Sequence, residues 1–184
     1  RRRPPGHKRR PSRRRARPAR DAAMAVYTRV SERDLAALLA RYDIGEALAL
    51  DPIAEGVENS NFRLTTTQGR YVLTLYERRV AEADLPFYLG LMEHAAAHGI
   101  PAPRPVVDRS GAVLQRVADR PSAIVRHLSG EWPRDPTPAH AHAAGAALAR
   151  FHAATNDFCI VRENALGPAS WRPLAERCGA GLDG

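Results

Sequence analysis

Hydrophobic residues between positions 30 and 100 follow first a helical spacing, then a strand-like pattern, and then a helical spacing again. Ser31 is placed to cap a first helix, predicted from about Glu32 to Arg41, and Asp34 at its third position favours a helix N-terminus. We expect Gly45 to end this segment. The apolar stripe of the helix consists of Leu35, Leu38, Leu39 and Tyr42.

Three segments after this helix are rich in residues that favour strands. The predicted strands are Ala47–Ala54, Asn61–Thr66 and Tyr71–Tyr76. A turn at Thr67–Arg70 makes a hairpin of the last two. A second helix follows Asp84, which is placed to cap it, and its apolar face comprises Leu85, Tyr88, Leu89 and Met92.

The pattern changes again after Gly99, which we expect to end the second helix. Further strands are predicted at Val106–Asp108, Ala112–Gln115 and Pro121–Arg126, with a turn at Arg109–Gly111. Beyond the connector His127–Gly130, helices are predicted from Pro138 to about Ala154 and over Trp171–Cys178, separated by a loop at Asn164–Pro168. A β-rich part with one long helix, then a connector, then helices, predicts an α+β fold with two lobes.

The basic charge of the chain is confined to its beginning. The formal net charge is +8, but residues 1–20 contain ten arginines, Lys8 and no acidic residue, which leaves 17 basic and 20 acidic residues in the rest. A basic surface for nucleic acid is therefore not a property of the predicted fold. Residues 1–23 are rich in Arg and Pro, and we predict that they are disordered.

Three explanations of this basic extension remain open. It is an arm that binds nucleic acid, a targeting peptide, for which its prolines fit poorly, or sequence upstream of a natural start at Met24. We favour the last, because MAVYTRVSERDL is an ordinary protein beginning. Cys159 and Cys178 lack metal-site spacing, and no apolar run reaches the roughly 18 residues of a membrane helix, so we expect a cytoplasmic protein without a membrane partner.

The polar turn Glu58-Asn59-Ser60-Asn61 lies between two predicted strands. Backbone N–H groups and short polar side chains in such a turn can contact phosphates, and Gly56 permits a tight backbone, although an ordinary turn has the same composition. The connector residues His127 and Leu128 lie where a chain passes between two lobes. Their backbone can hydrogen-bond an adenine, against apolar walls that we expect from Val72, Ile124 and Leu128, but a plain strand end explains them equally well.

Several segments resemble bacterial homoserine kinases of the type related to aminoglycoside and choline kinases, which have a protein-kinase-like fold. The resemblance covers residues 24 to about 183, and it rests on EGVENSNFRL, GRYVLTLYE, DLPFYLGLMEHAAAHGIPAPRPV, PSAIVRHLSG and the helical segments TPAHAHAAGAALARFHAAT and NALGPASWRPLAERCGAGLD. It implies an ATP-binding N-lobe at 24–126, with an antiparallel sheet and one long helix, a hinge at 127–137, and an incomplete helical C-lobe at 138–184.

The resemblance implies phosphoryl transfer from ATP-Mg²⁺ to the side-chain hydroxyl of L-homoserine, on the route to threonine. Glu58, Asn59, Ser60 and Asn61 would cover the phosphates, and His127 and Leu128 would border adenine. Kinase-like lobes usually carry a lysine on the third strand. Thr74 stands there in this chain, as in the homoserine kinases that it resembles, which leaves Arg78 or Arg79 as candidates to neutralise phosphate.

This kinase class also needs an H-x-D-x-x-x-x-N loop and a further aspartate for the metal. None of the seven histidines is followed by an aspartate two positions later. We therefore assign no catalytic residue and no metal ligand within the chain, expect these groups beyond its C-terminus, and expect the 184 residues to be an N-terminal fragment that is inactive alone. A related kinase for an aminoglycoside or amino alcohol, or a non-enzymatic protein acting through the basic extension, are the alternatives.

Overall fold

The computed structural model describes residues 27–54, 58–77, 80–131 and 133–179. The basic extension, Gly56, Arg78 and Arg79 lie outside these residues, so the predictions made for them stay predictions. The helices are α1 (Glu32–Leu39), α2 (Leu85–Ala97), α3 (Pro138–Ala154) and α4 (Pro168–Cys178). The strands are β1 (Ala47–Pro52), β2 (Ser60–Thr66), β3 (Gly69–Leu75), β4 (Gln115–Val117) and β5 (Arg120–Arg126). The predicted α+β fold is confirmed.

The strands form one antiparallel sheet in the order β1-β2-β3-β5-β4. β3 is the central strand, and its neighbours are β2 and β5. In this register Thr74 lies opposite Asn61 on one side and opposite Ala123 on the other. Because side chains alternate between the two faces of a strand, these three residues share one face of the sheet. The opposite face carries the buried Phe62, Leu73 and Ile124.

Helix α1 covers that buried face. Ser31 caps the helix as predicted, and with Asp34 it forms a capping box, in which the Ser31 hydroxyl accepts from the backbone of Asp34 and the Asp34 carboxylate accepts from the backbone of Ser31. The four residues of the predicted apolar stripe are all buried, and the helix packs in one core with β2, β3 and β5. Gly45, with a φ of +81°, turns the chain from this helix into β1.

Helix α2 packs at the other face of the sheet, around Ala123 of β5. Leu85 and Leu89 form a second buried cluster with Tyr76 and Ala123. The predicted cap of this helix is correct in position but wrong in chemistry, because Asp84 makes no capping hydrogen bond. Its carboxylate accepts instead from Nε of Arg162, at 2.8 Å. Because Ala123 is the cross-strand partner of Thr74, α2 packs on the face of the sheet that carries Thr74.

The predictions between the second helix and β5 were partly wrong. Val106–Asp108 is not a strand: the chain runs beside β5 there, with an isolated bridge between Pro105 and Val125 and a hydrogen bond from the Val106 backbone N to the Ile124 carbonyl (2.8 Å). This segment flanks the second half of β5. The strand predicted at Ala112–Gln115 begins three residues later, at Gln115, and flanks the first half.

Helices α3 and α4 have no buried residues among those described. Both lie where helices were predicted, and Thr137 caps α3 with its side chain, which accepts from the His140 backbone. Leu148, Leu166 and Trp171 are more than half exposed. An apolar surface of this kind invites association.

Candidate functional site

Ser60 holds together the open end of the β2–β3 hairpin, which is the end opposite its turn. This residue has no exposed surface, and its hydroxyl accepts from the backbone N–H groups of Tyr27 (2.8 Å) and Thr28 (3.0 Å). It donates to Oε1 of Glu77 at 2.8 Å. The hydroxyl was predicted to cover phosphates, but the structure gives it three partners within the protein, and it therefore has a structural role.

Glu77 is a residue that the sequence reasoning missed. Its side chain is only 8% exposed, and its second oxygen pairs with Nε of Arg120 at 3.1 Å. The backbone N of Glu77 donates to Oδ1 of Asn59 at 3.3 Å, so that Asn59 also belongs to this network. The signal in the sequence is weak, because an acidic residue directly after a buried strand is usually a surface residue.

Asn61 and Thr74 form a polar pair on the face of the sheet on which α2 packs. They are cross-strand partners, both are half-buried, and the Thr74 hydroxyl donates to Oδ1 of Asn61 at 2.8 Å. The Nδ2 group of Asn61 lies 3.5 Å from the carbonyl oxygen of Asn59. Glu58 is exposed at the beginning of this turn. Four of the predicted site residues, Glu58, Asn59, Asn61 and Thr74, are thus brought together with Ser60.

An apolar strip leads from this pair along β3. Val72 and Val125 are cross-strand partners on the same face as Thr74, and both are half-buried. Ile124, predicted as an apolar wall of the site, is completely buried in the core on the other face. The prediction was wrong by one residue because adjacent residues of a strand point to opposite faces, and Val125 takes the place expected of Ile124.

The connector leaves β5 at the other end of this strip. The backbone N of His127 donates to the carbonyl oxygen of Arg70 at 3.1 Å, at the beginning of β3. Nδ1 of His127 is buried and has no hydrogen-bond partner within the described residues. Leu128 is 44% exposed. Arg70 and Thr74 are four residues apart, which places the connector roughly 13 Å from the polar pair along the strand.

The segment after α3 packs along α2. Arg162 pairs with Asp84 at 2.8 Å and lies over the ring of Tyr88, 5.3 Å from its centroid. Phe158 contacts the ring of Phe87 edge-on. At the far end of α2, Nε2 of His94 lies 3.1 Å from the carbonyl oxygen of Ala154. Helix α2 therefore connects the sheet with the beginning of the helical part.

One group of three described side chains lies close enough to ligate a metal ion: His94, His98 and Asp157. Nε2 of His94 lies 3.0 Å from Oδ1 of Asp157. A hydrogen bond from its own backbone N–H, followed by the hydrogen bond from His94 and the charges of the two neighbouring imidazoles, holds the pKa of the Asp157 carboxyl below its usual range. Two imidazoles suit a transition metal better than Mg²⁺, which prefers oxygen ligands. The group lies at the C-terminal end of α2, beside the segment that follows α3.

A groove between α1 and β1 lies elsewhere in the described residues. It has a volume of about 900 Å³, and Leu35, Leu39, Ala47 and Arg109 are among its lining residues. Neither the polar pair nor the connector lines it. Among the described helices, none is long and apolar enough to span a bilayer.

Known phosphotransferases match this chain in sequence. The model of the phosphotransferase enzyme family matches residues 49–183. The chain is 57% identical over 160 residues to "Homoserine kinase" of Nitrobacter winogradskyi, covering 87% of this chain and 49% of that protein. It is also 57% identical over 156 residues to "Homoserine kinase" of Acidiphilium cryptum, covering 85% of this chain and 49% of that protein.

Among solved structures, an aminoglycoside phosphotransferase from Alicyclobacillus acidocaldarius is similar, with 26% identity and a TM-score of 0.49, covering 75% of this chain and 41% of that one. The chain spans about half the length of the curated relatives it matches. The family model extends from β1 to beyond α4, across the sheet, the polar pair and the connector. On this match, the chain belongs to the phosphotransferase enzyme family.

Proposed function

We propose that this chain supplies the nucleotide-binding lobe of a homoserine kinase. The reaction transfers the γ-phosphoryl group of ATP to the side-chain hydroxyl of L-homoserine and yields O-phospho-L-homoserine, an intermediate for threonine biosynthesis in the cytoplasm. The observation that carries this proposal is the 57% identity to a homoserine kinase over 160 residues, which include the hairpin, the connector and α3. Relatives at 52% to 57% identity share that name.

The geometry of the sheet supports an extended nucleotide. Asn61 and Asn59 offer side-chain amides at the hairpin end, where phosphates would lie, and the connector offers backbone groups at the other end for adenine. Val72 and Val125 lie between them and suit an apolar base. The buried Nδ1 of His127, which lacks a partner in the described residues, fits an adenine beside the connector.

A divalent metal supplies charge neutralisation between the β- and γ-phosphates in this reaction class. We expect Mg²⁺, held by carboxylate and amide oxygens in the part of homoserine kinases that this chain does not span. The polar pair suits a phosphate better than a metal, because it offers amide N–H groups but no carboxylate, and its amide oxygen is turned toward the Thr74 hydroxyl. The chain's own residues therefore orient the nucleotide, and the metal site is not assigned to them.

The proposal predicts which kinase can supply the part that this chain does not span and so give an active enzyme. In one chimera, residues 24–179 are joined to the remaining half of the Nitrobacter winogradskyi homoserine kinase. In the matched control, the same residues are joined to the remaining part of the Alicyclobacillus acidocaldarius aminoglycoside phosphotransferase. We expect the first chimera to release ADP in the presence of L-homoserine within about tenfold of the parent rate. The two parts of an enzyme must fit where they pack on each other to align the reacting groups, so the second should be inactive on aminoglycosides.

ADP release is measured with L-homoserine, kanamycin and choline as acceptors. The 184-residue chain alone should show no turnover above a no-enzyme control. A folded first chimera without homoserine-dependent turnover would contradict the proposal. Activity of only the second chimera would assign the lobe to an aminoglycoside kinase instead. Circular dichroism of both chimeras separates a failure of folding from a failure of function.

A further inference from the structure

Thr74 replaces the lysine that kinase-like lobes usually carry on the third strand. Within the described residues its hydroxyl makes one hydrogen bond, to Oδ1 of Asn61 at 2.8 Å. On its other side lies Ala123, which is 1% exposed and offers no polar side-chain atom. Threonine is β-branched, so its χ1 angle is restricted and its hydroxyl has few positions to adopt. The donor is therefore fixed toward Asn61.

This contact determines how the side chain of Asn61 is turned. The amide oxygen faces Thr74, and the amide nitrogen lies on the side of the Asn59 carbonyl, at 3.5 Å. A flipped amide would bring its oxygen against that carbonyl, and neither oxygen can donate. At 3.5 Å the contact with Asn59 is at the limit of a hydrogen bond. The N–H groups of Asn61 are therefore presented at the hairpin end with capacity for a further acceptor.

We propose that Thr74 is a positioning residue, which holds the amide of Asn61 so that its N–H groups donate to a nucleotide phosphate. This inference rests on the function proposed above. Thr74 itself does not touch the nucleotide, and it differs in this respect from the lysine that it replaces. The polar turn and β3 recognise phosphate through an oriented neutral amide, and the neutralising charge comes from other groups of the site.

The test compares two ligands that differ only in their phosphates. Dissociation constants of ATP with MgCl₂ and of adenosine are measured by NMR titration of the ¹⁵N-labelled 184-residue chain and of its variants. We expect Thr74→Val to weaken ATP binding about five- to tenfold, as for one lost hydrogen bond, and to leave adenosine binding unchanged. Thr74→Ser keeps the hydroxyl and should retain most of the ATP affinity.

A double-mutant cycle separates positioning from a structural effect. If Thr74 acts through Asn61, adding Thr74→Val to Asn61→Ala should cause little further loss of ATP affinity. An equal loss for ATP and adenosine in Thr74→Val would mean that the variant merely perturbs the sheet, and the inference would fail. Unchanged ATP affinity in Thr74→Val would also refute it. Absence of any ATP binding by the wild-type chain would instead refute the nucleotide site itself, and the inference with it.

Discussion

Replacing Asp108 with alanine is expected to lower the thermal unfolding midpoint of the chain by more than about 10 °C. The side chain is 2% exposed. Oδ1 accepts from the Ser110 hydroxyl (2.6 Å) and from the backbone N–H groups of Ser110 (2.8 Å) and Ala112 (2.9 Å). Oδ2 accepts from Arg41 (3.0 Å) and from the buried Gln115 (2.9 Å). Removing this carboxylate leaves several donors without a partner in the interior.

The contacts of Asp108 explain why its loss should be severe. They join the end of α1, through Arg41, to the turn before β4 and to β4 itself, through Gln115. Differential scanning calorimetry of the variant beside Asp135→Ala, at an exposed position, measures the effect. A shift for Asp108→Ala as small as that of the control would show that water replaces these contacts at little cost.

The same residue gives a pH dependence. The hydrogen bond from Ser110, followed by those from the Ala112 backbone and Arg41, holds the pKa of the Asp108 carboxyl well below its usual range. A group whose folded-state pKa is lowered stabilises the fold above its unfolded pKa of about 4, and this stabilisation is lost as the pH falls toward the folded pKa. The difference in midpoint between wild type and Asp108→Ala should therefore be constant near neutrality and shrink below about pH 4.

Replacing Ser60 with alanine is expected to cost roughly 2–3 kcal/mol of the free energy of unfolding. The substitution removes the acceptor of two backbone N–H groups and the donor to Glu77, whose carboxylate is nearly buried. Glu77 keeps Arg120, so its charge is not left without a partner. The lost hydroxyl connects three places in the fold: the segment before α1, the beginning of β2 and the residues just after β3.

Urea denaturation of Ser60→Ala, beside Ser129→Ala on the exposed connector, measures this cost. The control should change the free energy of unfolding by less than about 0.5 kcal/mol. Equal effects of the two substitutions would contradict the structural role of Ser60. That outcome would return its hydroxyl to the candidates for phosphate binding.

Local signals were sufficient for most of the elements. The N-cap of α1 at Ser31, the β2–β3 hairpin and the limits of α3 depend on residues within a few positions of each other, and all were predicted. β4 was misplaced because its register depends on the turn to β5. That turn uses Ala118 and Asp119, both at positive φ, without the Asn-Gly or Asp-Gly pair that normally announces it.

The site was predicted less completely, because its contacts join distant parts of the chain. The sequence indicated a polar turn at Glu58–Asn61, but the three partners of Ser60 lie 17, 32 and 33 residues away. Asp84, predicted as a cap, instead accepts a hydrogen bond from Arg162, 78 residues along the chain. Ile124 and Val125 are equally apolar, and only the register of β5 on β3 shows which of them faces Thr74's side of the sheet.

Hydrogen–deuterium exchange of the homoserine kinase chimera, with and without ATP and MgCl₂, locates the nucleotide most directly. We predict slower exchange at amides 58–61 in the polar turn before β2 and at 127–130 in the connector. Amides 32–48, along the α1–β1 groove of about 900 Å³, should be unchanged. Protection confined to that groove, with the hairpin and connector unaffected, would contradict the placement of the phosphates beside Asn61 and of adenine beside His127.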